Sequence, residues 1–296
     1  MAGGLIPRRP ANGAVDPAPA PRAGRRPART NRTPMAANPD LLAWLRAAWA
    51  AYEFDVAALY RRDADHDWPL EATDAKELAR KLEAGGHFLP LPKEPAALAN
   101  VLEVSIVKFL MERAEADPGV DIRVGTERGY PDLEVSGARF GDGFHAVDLK
   151  AARRKPLKRS PPRETQSRIT LYTGNTYFAW PDLAWPGMFR PFAEYESHVD
   201  VLAIYTLDLE AMERATDIEV LVQEPWRIAS TERSSTTREY IGAVTKLDRL
   251  REGDGDFDTE EAFYAYWRAF EFRMPKALKA QLRKLIEAQK GGSGGS

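Results

Sequence analysis

The stretch Tyr130-Pro-Asp-Leu-Glu-Val-Ser-Gly-Ala-Arg-Phe-Gly-Asp-Gly-Phe-His-Ala-Val-Asp-Leu-Lys150 decides the fold of this chain. Leu133 and Val135, followed by Phe144, Ala146 and Val147, read as two strands, and the region from Gly137 to Gly143 supplies the turn between them. With that turn centred near Phe140, antiparallel pairing sets residue 132 opposite residue 148. Asp148 and Lys150 lie two apart on one strand and project from the same face. Strand geometry alone therefore gathers Asp132, Asp148 and Lys150 into one cluster.

Two neighbouring carboxylates repel each other and are poorly tolerated unless a cation lies between them. A set of oxygen ligands suits a hard ion such as Mg²⁺, which keeps several waters and completes its shell with substrate phosphate. A lysine beside such an ion can orient or help deprotonate an attacking water and offset phosphate charge. These are the requirements of phosphodiester hydrolysis. The chain has three Pro-Asp pairs, at 39–40, 131–132 and 181–182, and two acid-x-Lys triplets, Asp74 to Lys76 and Asp148 to Lys150. Only one combination joins them over a hairpin-sized interval. Taken alone it fits equally a surface hairpin with a lateral ion pair. Glu103 lies near the margin of an apolar helical stripe, as either an edge residue or an acid aimed into the site.

Outward from this hairpin the pattern is mixed. Pro39 to Tyr52 carries Leu41, Leu42, Trp44, Leu45, Ala48 and Trp49 at helical spacing. Phe54 to Tyr60 reads as a short strand, Asp74 to Ala84 as a charged helix ended by Gly85-Gly86, and Pro95 to Ala116 as the longest helix. A basic, proline-containing segment runs from Arg153 to Arg163, and Val199 to Tyr205 and Ile218 to Val222 are strand-like. Asp258 with Glu261 suggests a capping box before a helix bearing Phe263, Tyr264, Trp267 and Phe270, and a last amphipathic helix spans Pro275 to about Ala288. The fold class is α+β, centred on a sheet. Residues 1–37, rich in Pro, Ala, Gly and Arg, read as a disordered arm, 38–290 as the folded body, and Gly-Gly-Ser-Gly-Gly-Ser at 291–296 as a linker-like tail.

The 296 residues, 44% of them hydrophobic, suffice for a sizeable core, since a chain of this length buries roughly 75% of its unfolded surface. The absence of cysteine excludes disulfides, thiolate metal sites and cysteine nucleophiles, and is compatible with a cytoplasmic setting. No apolar run is long enough to span a membrane. The four histidines show no zinc-ligand spacing, and no glycine-rich nucleotide loop is present. A net charge of −2 leaves local clustering to decide whether a polyanion is bound.

Several ordered blocks resemble one known family. Gly129-Tyr-Pro-Asp132 with Ala146-Val-Asp-Leu-Lys150 looks like the PD-(D/E)xK nuclease signature, and the surrounding chain resembles the EcoRV-type type II restriction endonucleases. Supporting blocks are Ile169 to Phe178, Gln223 to Ala229 followed by Ile241-Gly242, and Gly255 to Arg268, so the resemblance extends with interruptions from about Leu41 to Arg273. It implies a restriction-endonuclease-like core, a central mixed β-sheet flanked by helices. It also implies that Asp132, Asp148 and Glu103 bind Mg²⁺ and that Lys150 is the catalytic lysine. The expected activity is cleavage of both strands of double-stranded DNA at a short palindrome by a homodimer, leaving 5′-phosphate and 3′-hydroxyl ends. A DNA methyltransferase is expected as the genetic companion that protects the host.

The same resemblance marks candidate DNA contacts. Arg128 lies in Thr126 to Gly129, which corresponds to a loop near the minor groove. Arg153 and Arg154 open a basic stretch directly after the lysine, suited to phosphates or to a solvated loop. Thr170, Thr173 and Asn175 offer further polar groups. The segment from Ser230 to Glu239, with Arg233, Ser234, Ser235, Thr236, Thr237 and Arg238, occupies the place of the major-groove recognition loop. It departs from the glycine- and asparagine-rich composition expected there. Arginine suits the O6 and N7 acceptors of guanine, so different bases are expected, although these arginines are equally suited to phosphates. The segment around Glu71 to Leu91 has no clear counterpart. The rival readings are a structure-specific nuclease of the same core and a DNA-binding module without hydrolysis.

Overall fold

A computed structural model describes residues 36–54, 73–84, 95–126, 129–157, 163–211, 214–234 and 240–292. Thirteen residues, His145–Leu157, form the central strand β3. It is flanked on one side by β2 (Leu133–Ser136), antiparallel to it, and beyond that by β1 (Asp121–Val124), antiparallel to β2, and on the other side by β6 (Ser197–Leu207), which is parallel to it. Antiparallel β7 (Ala215–Gln223) closes that side, and β4 (Arg163–Gln166) pairs with the far end of β3. The sheet is therefore mixed, in the order β1-β2-β3-β6-β7. A second, three-stranded sheet joins β5 (Thr170–Tyr172), β9 (Ile241–Ala243) and β8 (Ala229–Arg233).

Alternation along β3 and β6 divides the interior into two cores. Val147, Leu149, Val199 and Val201 face α1 (Pro39–Trp49) and α3 (Pro95–Glu115), meeting Leu41, Leu45, Ile106 and Leu110. Ala146, Ala152, Leu202 and Ile204 face the second sheet and α7 (Glu260–Ala269), whose Phe263 and Trp267 are fully buried. Asp148 and Lys150 interrupt this second apolar row.

Local chemistry explains the element ends. Asn38 caps α1 by accepting from the N–H groups of Asp40 and Leu41, and Pro39 fills the first helical position. The N–H of Ala37 donates to Glu224, which ties the start of the body to the end of β7. Gly137 sits at φ +120°, and a Cβ there would lie 2.3 Å from the Gly119 carbonyl, so the tight exit from β2 requires glycine.

Most sequence-based elements that fall on described residues are present, with three differences. The expected strand from Phe54 to Tyr60 lies, apart from Phe54, outside the described residues. The N-cap of α7 is Thr259, which accepts from the Ala262 N–H, and not Asp258; the extended backbone of Thr259 (φ −144°, ψ 158°) puts its own hydroxyl over the first turn. The last helix, α8, runs from Lys276 to Gly292, beyond Ala288, because no helix breaker precedes Gly291. The basic segment after Lys150 is largely strand: β3 continues to Leu157 and pairs with β4. Among the described residues, no helix is long and apolar enough to cross a membrane. The remaining helices are α2 (Ala75–Ala84), α4 (Thr176–Ala179), α5 (Pro225–Ile228) and α6 (Leu247–Glu252).

Candidate active site

The β2–β3 register pairs Leu133 with Val147 and Glu134 with Ala146, so the next position aligns Asp132 with Asp148. Beyond Val147, β2 no longer covers its edge of β3. The N–H groups left on that edge, at Leu149 and Ala151, are taken up by side chains. Asp132 Oδ2 accepts from Leu149 at 2.6 Å, and Glu103 Oε1 accepts from Ala151 at 3.2 Å. The next edge group, the Arg153 N–H, donates to Ser167 Oγ at 2.9 Å. The end of one short strand thus draws both acids to the site.

Lys150 Nζ forms an ion pair with Asp148 Oδ2. Burial alone would depress the lysine, but Asp148, Asp132 and Asp200 more than offset it and hold its pKa above the usual value. Asp132 is pushed up to about 7, by burial first and then by the charge of Asp148, with which it shares a hydrogen bond. Glu103 is also raised, through burial, against the opposing charge of Lys150. Beneath the acids lies an aromatic layer in which Tyr130 stacks on Tyr177 and Phe192, while its hydroxyl lies 2.8 Å from His198 Nδ1.

These groups form a polar notch in an apolar face, with two touching carboxylates, a cationic lysine and a third acid at the margin. A family model described as restriction endonuclease EcoRV matches residues 64–290. The chain belongs to the EcoRV restriction endonuclease family. It is a type II restriction endonuclease, hence a phosphodiester hydrolase whose substrate is DNA, and its mixed sheet flanked by helices is the restriction-endonuclease-like fold. The match includes the site hairpin and the segment from Glu71 to Leu91. No curated protein matches the chain.

The EcoRV-type candidates for DNA contact divide by position. Arg128, Ser235, Thr236, Thr237 and Arg238 lie outside the described residues. Arg153 is half-buried on β3, while Thr173 and Arg233 are exposed. The Arg154 guanidinium turns inward, donating to Thr206 Oγ1, the Asp217 carbonyl and Glu219. The Asn175 amide donates to the carbonyls of Trp267 and Phe270 at the end of α7. Thr170 and Ser234 join hydroxyls at 2.9 Å, bridging β5 to the end of β8. Near these last residues a cavity of about 290 Å³ is lined by the cations Arg168, Arg233, Lys246 and Arg249 and the acids Glu232 and Asp256.

Sequence reading did not single out Asp200. It pairs in register with Asp148 across the parallel β3–β6 ladder and is 2% exposed. Its only sequence signal is an acid inside the apolar run from Val199 to Ile204.

Proposed function

We propose that this endonuclease is Mg²⁺-dependent, acts as a homodimer, and cuts both strands of duplex DNA within a short palindrome. The ends it leaves are 5′-phosphate and 3′-hydroxyl. The observation that carries this reading is the meeting of Asp132, Asp148 and Lys150 in one notch of an otherwise apolar face.

The donor set fits a hard divalent ion. All candidate ligands are carboxylate oxygens, and Asp132 and Asp148 are close enough to share a hydrogen bond, a contact that two ionised acids sustain only around a cation. Among the described residues no three His, Asp or Glu side chains already converge on one point. Asp132 and Asp148 would therefore hold the ion, with Glu103 at its margin and water and substrate oxygens completing the shell. Bound there, Mg²⁺ would supply Lewis-acid stabilisation of charge on the phosphoryl group and the leaving 3′ oxygen.

The chain's own groups do the rest. Lys150, kept cationic by Asp148, donates hydrogen bonds to the attacking water and a phosphate oxygen; a lysine so held orients the water and does not deprotonate it. Water attacks phosphorus in line and gives up a proton to solvent, the bond to the 3′ oxygen breaks, that oxygen takes a proton from solvent to become the 3′-hydroxyl, and the phosphate stays on the 5′ oxygen. Arg153, Thr173, Arg233 and the stretch from Ser235 to Arg238 contact DNA, with Arg128 at the minor groove. Arg154, Asn175, Thr170 and Ser234 brace the surfaces that carry those contacts. Two-fold symmetry of the enzyme matches two-fold symmetry of the target.

Incubation with fully sequenced, unmethylated phage DNA, with Mg²⁺ or with EDTA, tests this reading. Discrete Mg²⁺-dependent fragments with one shared palindrome at their sequenced ends are expected. Intact DNA, or cutting confined to mismatches or branches, would defeat it.

A further inference from the structure

Asp200 carries chemistry that the recognised trio does not explain. Paired residues on adjacent parallel strands project to the same face, so its carboxyl lies on the Asp148 side of the sheet. Its neighbours in the two strand rows on that face are His198 and Leu202 on β6 and Ala146, Asp148, Lys150 and Ala152 on β3; the His198 ring is already taken up by the Tyr130 hydroxyl and by stacking on Phe192. Burial first, and then the charge of Asp148, hold its pKa well above the ordinary carboxylate value, with Lys150 acting in the opposite direction. Asp200 is 2% exposed, and its Oδ2 has no hydrogen-bond partner among the described residues. A buried carboxyl left without a partner destabilises a fold. The β6–β7 ladder does not need it, because Asp200 meets Gln223 through backbone pairing, and Gln223 donates its side-chain amide elsewhere, to Leu250 and Arg251.

We propose that Asp200 is a positioning acid of the cation site: it stands behind Asp148 and Lys150 and strengthens the hold of Asp132 and Asp148 on a divalent cation. The inference rests on the assignment of those two acids. A third carboxyl on the same side of the sheet adds the negative potential of its oxygens to the place into which a cation moves. It also biases Lys150 away from the gap between the two ligands, so that the ammonium does not occupy the place of the ion. The fold carries the unpartnered acid because cation binding uses it.

The test is Mn²⁺ binding to the full chain without DNA, followed by electron paramagnetic resonance, for the parent, Asp148→Asn and Asp200→Asn, with Tm recorded for each in EDTA. Asp200→Asn keeps the shape of the side chain and replaces its carboxyl with an amide; Asp200→Ser provides a second variant of smaller volume. The expected result for either is a loss of Mn²⁺ affinity of about tenfold, the scale on which outer groups tune metal sites, with a Tm no lower than the parent's. Affinity within twofold of the parent in both variants, while Asp148→Asn has lost binding, overturns the role of Asp200 alone. So does a lowered Tm in both, which would make the acid a structural one. A parent that binds no Mn²⁺, or an Asp148→Asn variant that binds undiminished, overturns the cation site itself.

Discussion

Asp132 and Glu103, 29 positions apart on different elements, accept hydrogen bonds from successive N–H groups on one edge of β3, those of Leu149 and Ala151. The backbone vacancy that draws them is the early end of β2 at Leu133. For Glu103 this separates two roles in one side chain. Glu103→Gln keeps an oxygen for the Ala151 N–H, and stability within about 0.5 kcal/mol of the parent is expected. Glu103→Ala leaves the N–H unpaired and is expected to cost about 1 kcal/mol. Urea unfolding reads the difference. Cleavage should fall in both variants, because both lose the charge at the margin of the site; full activity in Glu103→Gln would confine the residue to its backbone role.

Asp148→Ala, Asp132→Ala and Lys150→Ala should each lower the cleavage rate by at least about a hundredfold, the scale for removing one group that stabilises developing charge. Circular dichroism should show an intact fold in all three. Lys150→Ala should also lose stability, by about 2 kcal/mol, since Asp148 would then lack its counter-ion. That value sits below the cost for a fully enclosed pair because the lysine side chain keeps 22% of its exposure. Cleavage by Asp148→Ala at the parental rate would show that the reaction happens elsewhere.

The dependence of stability on pH has a separate source at the start of α7. Burial, then the charges of Glu224 and Glu261, push Glu260 up to about 7. An acid whose folded pKa lies above its unfolded value of 4.5 binds more protons in the folded state between those two values. It therefore removes stability as pH rises through that window. Melting temperatures of the parent and Glu260→Gln should converge near pH 4.5 and separate towards pH 7, with the variant the higher. A gap that stays constant across the window would show that the carboxyl does not titrate there.

The hairpin at the heart of the site was legible because a short turn fixes its own register. Centring it near Phe140 sets 132 against 148, and the observed pairs Leu133 with Val147 and Glu134 with Ala146 lie on that same register. Asp200 was not legible, because it meets Asp148 through a parallel ladder whose strands are joined by a long connection, and nothing local sets such a register. The α7 cap slipped by one residue because Asp258 and Thr259 are both good caps and only the backbone conformation chooses between them. Charge pattern placed Arg153 and Arg154 together, yet consecutive strand residues point to opposite faces, and the carboxylates that meet Arg154 lie on other strands.

That last contrast can be measured. Arg154 reaches Glu219 at 3.2 Å and Glu164 at 3.7 Å, with only 13% of its side chain exposed, and Arg251 and Arg154 together hold the Glu219 carboxyl below its ordinary range. Arg154→Ala removes a cation shared by β4, β6 and β7, and is expected to lower stability by about 1–2 kcal/mol while leaving the salt dependence of DNA binding unchanged. Arg153→Ala should do the reverse: near-parental stability, with the slope of log affinity against log salt reduced by about 1 through the loss of one phosphate contact. Fluorescence anisotropy of a labelled duplex in Ca²⁺, read across a salt series beside urea unfolding of each variant, tests both. An unchanged slope in Arg153→Ala would take that residue off the DNA, and a reduced slope in Arg154→Ala would mean that its guanidinium leaves Glu219 when DNA binds.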